Sequence, residues 1–127
     1  MKIAILGLGS IGRRHLGNFR SVGVETLTAY DAAPAQREAA AKDFPWAKVA
    51  LTAEAALDGV DGAVICTPPE SHISLGRLAA ERGAHLMVEK PFAQSVDGVE
   101  DLLKLCDAKR RPIRWCRRMH QALCGFP

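Results

Sequence analysis

No apolar run in this 127-residue chain approaches the roughly 18 to 20 residues needed to cross a membrane. Before its first glycine the N-terminus carries one lysine and then only Ile3-Ala4-Ile5-Leu6. A secretory signal needs a longer apolar stretch, about 7 to 15 residues, so the expected location is cytoplasmic. Cys66, Cys106, Cys116 and Cys124 include no Cys-x-x-Cys pair, and reduced thiols are expected, with Cys66 in the core. Nor is there a compositional bias toward disorder, collagen or low complexity: 48% of residues are hydrophobic and 24% charged, with 11 Gly and 7 Pro.

Acidic residues are absent from the last nineteen positions, and that changes how the net charge of +3 is read. Residues 1–108 hold 11 Lys plus Arg against 14 Asp plus Glu, a balance of −3. Residues 109–127 hold Lys109, Arg110, Arg111, Arg114, Arg117 and Arg118 with no acid, a balance of +6. A basic tail can serve as a nucleic-acid or membrane arm. Here an acidic body would repel phosphates, and the arginines have only Trp115 interleaved, which disfavours nucleic acid. The length suits one domain that buries about two-thirds of its unfolded surface and needs no metal or disulfide to fold.

What the chain does have is alternation. Lys2–Leu6, Glu25–Tyr30, Lys48–Leu51, Gly62–Cys66 and Ala84–Val88 read as strands. Between and after them Ile11–Val22, Pro34–Asp43, a short turn of helix to Leu57 capped by Thr52, Glu70–Arg82 and Val96–Ala108 capped by Ser95 read as helices. Strand-helix repeated five times with short connections specifies α/β architecture, a doubly wound parallel sheet with helices on both faces.

The strongest chemical signal is Gly7-Leu8-Gly9-Ser10-Ile11-Gly12, after a strand and opening a helix. Gly7 permits the tight turn, Gly9 lets the backbone approach a pyrophosphate, and Gly12 lets helix and strand pack closely. Phosphates would meet free N–H groups and the positive end of the helix dipole. Asp31 closes the second strand 19 residues after Gly12, where an acid can bind ribose hydroxyls. Its charge would repel a 2′-phosphate, and neither Ala32 nor Ala33 offers a compensating cation, so NAD is favoured over NADP. A glycine turn without nucleotide, Asp31 as a turn residue before Pro34, and an S-adenosylmethionine site stay open at this point. A P-loop fails, because Arg13-Arg14 stand where Lys-Ser/Thr would be needed.

Two more loops follow the fourth and fifth strands, at the sheet edge where open α/β folds bind ligands: Thr67-Pro68-Pro69-Glu70-Ser71-His72 and Glu89-Lys90-Pro91. Lys90 could supply a cation or proton donor at a reacting carbon, or the Glu-Lys pair could be a solvated loop. His72 could equally be a first-turn histidine with no role.

GLGSIGRRH, the acid at Asp31, ICTPPESH and HLMVEKPFA, in that order, resemble the Gfo/Idh/MocA oxidoreductases, the glucose–fructose oxidoreductase and inositol 2-dehydrogenase group. The likeness covers residues 1–108, read as a Rossmann domain. It implies an NAD-dependent oxidoreductase moving hydride between a CH–OH group of a sugar or cyclitol and a nicotinamide. By resemblance the loop from Gly7 through Gly9, Ser10, Ile11 and Gly12 would hold the pyrophosphate, and Asp31 the adenosine ribose. Thr67, Pro68 and His72 would border the nicotinamide half. Glu89 would sit near the nicotinamide ribose, and Lys90, the expected catalytic residue, would meet the substrate hydroxyl. A cis Lys90–Pro91 bond is expected as well, an isomer tolerated only before proline.

Members of that family continue into a second α/β domain that carries substrate residues. Residues 109–127 read as a basic tail, the degraded start of the linker to that domain, with Arg114 where a strand should be apolar. A truncated or frameshifted gene would explain this, and a source locus with no second domain in any frame would contradict it. Cys116, His120 and Cys124 lack a fourth ligand nearby, so no metal is expected. The expected partner is a small-molecule substrate, with homo-oligomerisation or a separate C-terminal chain also open. The alternative function is a non-catalytic nucleotide-binding or regulatory module working with a separate chain.

Overall fold

In the computed structural model, which describes residues 1–111 and the backbone of 113–115, the chain runs β1 (Lys2–Leu6), α1 (Ser10–Ser21), β2 (Thr26–Tyr30), α2 (Pro34–Asp43), β3 (Lys48–Val49), α3 (Ala53–Ala56) and β4 (Gly62–Ile65). A 3-10 turn at Pro69–Ser71 then leads into α4 (His72–Glu81), β5 (His85–Val88), α5 (Val99–Ala108) and β6 (Ile113–Trp115). The strands form one sheet in the order β3-β2-β1-β4-β5-β6, and every pairing is parallel. From β1 the chain winds outward to β3, then returns to the other side of β1 with β4. That reversal opens a crevice at the carboxyl ends of β1 and β4, the usual ligand position in such sheets.

Burial on both faces explains why β4, and β1 beyond its exposed first residue Lys2, are apolar. Along β1, Ile3 and Ile5 pack on one face with Leu8, Leu16 of α1, Leu27 and Ala40 of α2. Ala4 and Leu6 pack on the other with Ile65, Leu86 and Leu102 of α5. The period of two in β1 therefore feeds two cores, the signature of a doubly wound sheet. Thr28, buried in β2, donates its hydroxyl hydrogen to the Ala56 carbonyl at 2.7 Å and ties α3 to the sheet. Thr52 caps α3 by accepting from the Ala55 N–H at 3.1 Å, as its sequence position suggests.

Three boundaries differ from expectation by two residues or more, the others by at most one. The third strand stops at Val49, two residues short. Helix α4 begins at His72, because the chain from Pro69 to Ser71 takes the tighter 3-10 form. Helix α5 begins at Val99 rather than Val96: the Ser95 hydroxyl accepts from the Asp97 N–H two residues on, a local turn that competes with a helix cap. Gly98 then enters the helix from a left-handed conformation, φ +75°. Beyond residue 108, β6 pairs with β5 and extends the sheet by a sixth strand. Cys116, His120 and Cys124 lie outside the described residues. Among the described residues no helix is long and apolar enough to cross a membrane.

Candidate functional site

Sheet register gathers the predicted residues on one edge. Leu6 pairs with Tyr30 of β2 and with Ile65 of β4, and Ile65 pairs with Val88 of β5. One residue further along each strand stand Gly7, Asp31, Cys66 and Glu89. Backbone bonds hold this row together: Gly7 N–H to the Tyr30 carbonyl at 2.8 Å, Cys66 N–H to Leu6 at 2.7 Å, and Glu89 N–H to Ile65 at 3.0 Å.

The three glycines of the loop meet different surroundings. Gly7 has φ +95°, and a side chain there would come within 2.7 Å of the Cys66 and Thr67 backbone. A Cβ on Gly12 would lie 1.8 Å from the Gly7 carbonyl oxygen, so the start of α1 can rest on the loop only as glycine. A Cβ on Gly9 would meet nothing within 4 Å. Helix α1 makes its first backbone bond from Arg13 N–H to the Gly9 carbonyl, at 3.0 Å. The N–H groups of Ser10, Ile11 and Gly12 precede that bond and have no helical acceptor. The loop thus combines unsatisfied donors, the positive helix end and an open flank at Gly9.

Asp31 serves the fold as well as any ligand. One carboxylate oxygen accepts from the Leu8 N–H at 2.7 Å and the other from the Ala33 N–H at 2.8 Å. The first bond steadies the glycine loop, and the second shapes the turn into α2. Each oxygen keeps a further lone pair for a ribose hydroxyl. Sequence neighbours offered no cation here, but folding supplies one. Arg37 of α2 donates to the carbonyls of Asp31 at 2.8 Å and Ala32 at 3.0 Å.

Across the crevice, Thr67 and Pro68 follow β4, with Ser71 Oγ 2.7 Å from Thr67 Oγ1 and 2.9 Å from the Pro68 carbonyl. His72 lies behind them at 2% exposure, its ring nitrogens facing the carbonyls of Thr67 at 2.7 Å and Phe92 at 3.1 Å. It clasps the loop after β4 to the segment after β5. Lys90 is exposed next to Glu89, and the Lys90–Pro91 bond is cis. Cys66 is half-buried at the sheet edge rather than fully enclosed.

Sequence reasoning missed His15. It lies in α1 at 8% exposure, and its Nε2 is 2.7 Å from Glu89 Oε1. The available signal was its place three residues after Gly12, on the helix face that buries Gly12 and Leu16. Nothing local in the sequence pairs it with a residue 74 positions away.

The GFO_IDH_MocA model, described as an oxidoreductase family with an NAD-binding Rossmann fold, matches residues 1–114. A UDP-N-acetylglucosamine 3-dehydrogenase from Acidithiobacillus ferrooxidans is 26% identical over 97% of this chain and 39% of its own length. An inositol 2-dehydrogenase from Rhizobium meliloti is 31% identical over 83% of this chain and 32% of its own. Among solved structures, the WlbA dehydrogenase from Chromobactrium violaceum, in complex with NADH and UDP-GlcNAcA, superposes with a TM-score of 0.83 at 23% identity. That superposition takes in 91% of this chain and 34% of the other, and at such identity it speaks for the fold. The chain therefore spans roughly a third to two-fifths of the length of the relatives it matches. With the family model matching nearly its whole length, the chain belongs to the Gfo/Idh/MocA oxidoreductases through their NAD-binding Rossmann domain.

Proposed function

We propose that this chain is the dinucleotide-binding unit of an oxidoreductase that moves hydride between a CH–OH group of a sugar or cyclitol and a nicotinamide. The observation that carries the reading is the asymmetry of the glycine loop: Gly7 and Gly12 are closed against backbone, while Gly9 faces open space beside N–H groups that have no helical acceptor. That space and those donors fit a pyrophosphate. When bound, NAD supplies the hydride acceptor. The chain's own residues then have the following roles. Ser10, Ile11 and Gly12 donate backbone N–H groups to the pyrophosphate, and Asp31 accepts from the adenosine ribose hydroxyls. Thr67 and Pro68 border the nicotinamide half, with His72 holding their loop in place. Glu89 meets the nicotinamide ribose. Lys90 meets the substrate hydroxyl, as proton donor and acceptor or as a fixed cation.

The sugar and cyclitol substrates in the names of two relatives support the substrate class. These 127 residues, about a third of the relatives' length, would bind cofactor and turn substrate over poorly by themselves.

NAD over NADP rests on the Asp31 carboxylate. Titration with NADH and NADPH should give tighter NADH binding. Asp31→Asn, which keeps an acceptor for the Ala33 N–H but loses the charge, should narrow the preference by about tenfold, a change of one like-charge contact. An unchanged preference in a folded variant would remove Asp31 from the ribose.

A further inference from the structure

His15 and Glu89 join two parts of the sheet edge that are distant in sequence. His15 belongs to α1, whose first turn carries the glycine loop, and Glu89 is the residue before Lys90. Strand β4 lies between their strands, β1 and β5, so the pair reaches across the crevice floor. The contact is close, 2.7 Å, and sheltered, with side-chain exposures of 10% and 20%. A carboxylate only accepts, so the imidazole proton resides on Nε2 and is donated to Oε1. No other hydrogen bond to the Glu89 carboxylate is found among the described residues, which leaves Oε2 as an acceptor for a ligand. The Cys66 thiol completes a group whose donor atoms lie within 4.8 Å of one another. A zinc ion could use that donor set, but imidazole and carboxylate already meet at hydrogen-bonding distance and are spent on each other.

We propose that His15 is a positioning residue for the nicotinamide half of the site. Through its Nε2–H it fixes the Glu89 carboxylate, and with it the loop bearing Lys90, relative to the pyrophosphate-binding helix. This rests on the reading of Glu89 as the nicotinamide-ribose contact given above. It predicts an effect confined to one end of the dinucleotide. ADP, which keeps the adenosine and pyrophosphate but lacks the nicotinamide and its ribose, is the probe that separates the ends.

The experiment titrates wild type, His15→Leu, His15→Ala and His15→Gln with NADH and with ADP, using variants whose unfolding midpoints match wild type. In His15→Leu and His15→Ala, NADH affinity should fall about tenfold, the usual scale for losing a hydrogen bond to a charged group. ADP affinity should stay unchanged, and the fluorescence enhancement of bound NADH should drop. His15→Gln, which places an amide N–H where Nε2 was, should recover most of the loss and is the variant expected to fold if the others do not. In a Glu89→Ala background the His15 substitutions should have no further effect on NADH. Equal losses for both ligands, or no loss for either, would overturn the positioning role. Equimolar zinc binding that His15→Gln abolishes would also overturn it, by giving the pair to a metal. Wild type that binds neither ligand would instead refute the dinucleotide reading on which the inference stands.

Discussion

A methyl group added at Gly12 would fall 1.8 Å from the Gly7 carbonyl oxygen, whereas at Gly9 it would touch nothing. Gly12→Ala should therefore lower stability by about 3 kcal/mol or more, at the upper end of overpacking, because the obstacle is backbone. Gly9→Val should cost about 1 kcal/mol or less, the scale of a changed helix cap. Denaturant unfolding of both variants checks this, and equal losses would contradict the assigned packing. Cys106 offers a test by pH. Burial, with the Asp107 carboxylate adding to it, raises the thiol above its ordinary value of 9.0. The unfolded chain then ionises first as pH rises, so the thiol's contribution is full at neutral pH and is lost above that value. The stability gap between wild type and Cys106→Ala should narrow through that range, and a constant gap would contradict it.

At the scale of elements, the start of α5 separates local from tertiary control. Ser95→Ala should cost under about 0.5 kcal/mol, because Ser95 closes an exposed turn and caps nothing; a true cap would cost about 1 kcal/mol. Gly98→Ala should cost about 1 to 2 kcal/mol, since Gly98 is left-handed and a Cβ there would press on Ile73 at 3.0 Å. Helix strengths measured the other way round would restore the boundary read from sequence. Elsewhere β1 and α2 have the bounds that apolar runs and Pro34 suggest, because burial on both faces and a fixed proline φ act locally. The glycine loop and Asp31 were legible for the same reason, as each is set by its own strand end. What the sequence hid depends on strand order. Register alone puts Gly7, Asp31, Cys66 and Glu89 in one row, and only that row brings His15 to Glu89 and shows Arg37 beside the Asp31 turn.

At the scale of the whole molecule, the acidic body and the crevice belong to one unit, while the six basic residues fall after residue 108. The proposed division of labour follows from how much of its relatives the chain spans. In that proposal cofactor binding needs only the sheet edge, and specificity for a sugar or cyclitol is left to residues outside this chain. Purified chain offered NAD with myo-inositol or UDP-N-acetylglucosamine should bind NAD but produce little NADH, and rates typical of complete dehydrogenases, about 1 per second or more, would contradict that division.

The central claim is that the open flank at Gly9 receives a dinucleotide, and NADH titration of wild type beside Gly9→Val tests it most directly. Wild type should bind, and Gly9→Val, with an unfolding midpoint close to wild type, should not. Equal affinities in the two proteins, or no binding by folded wild type, would contradict the account.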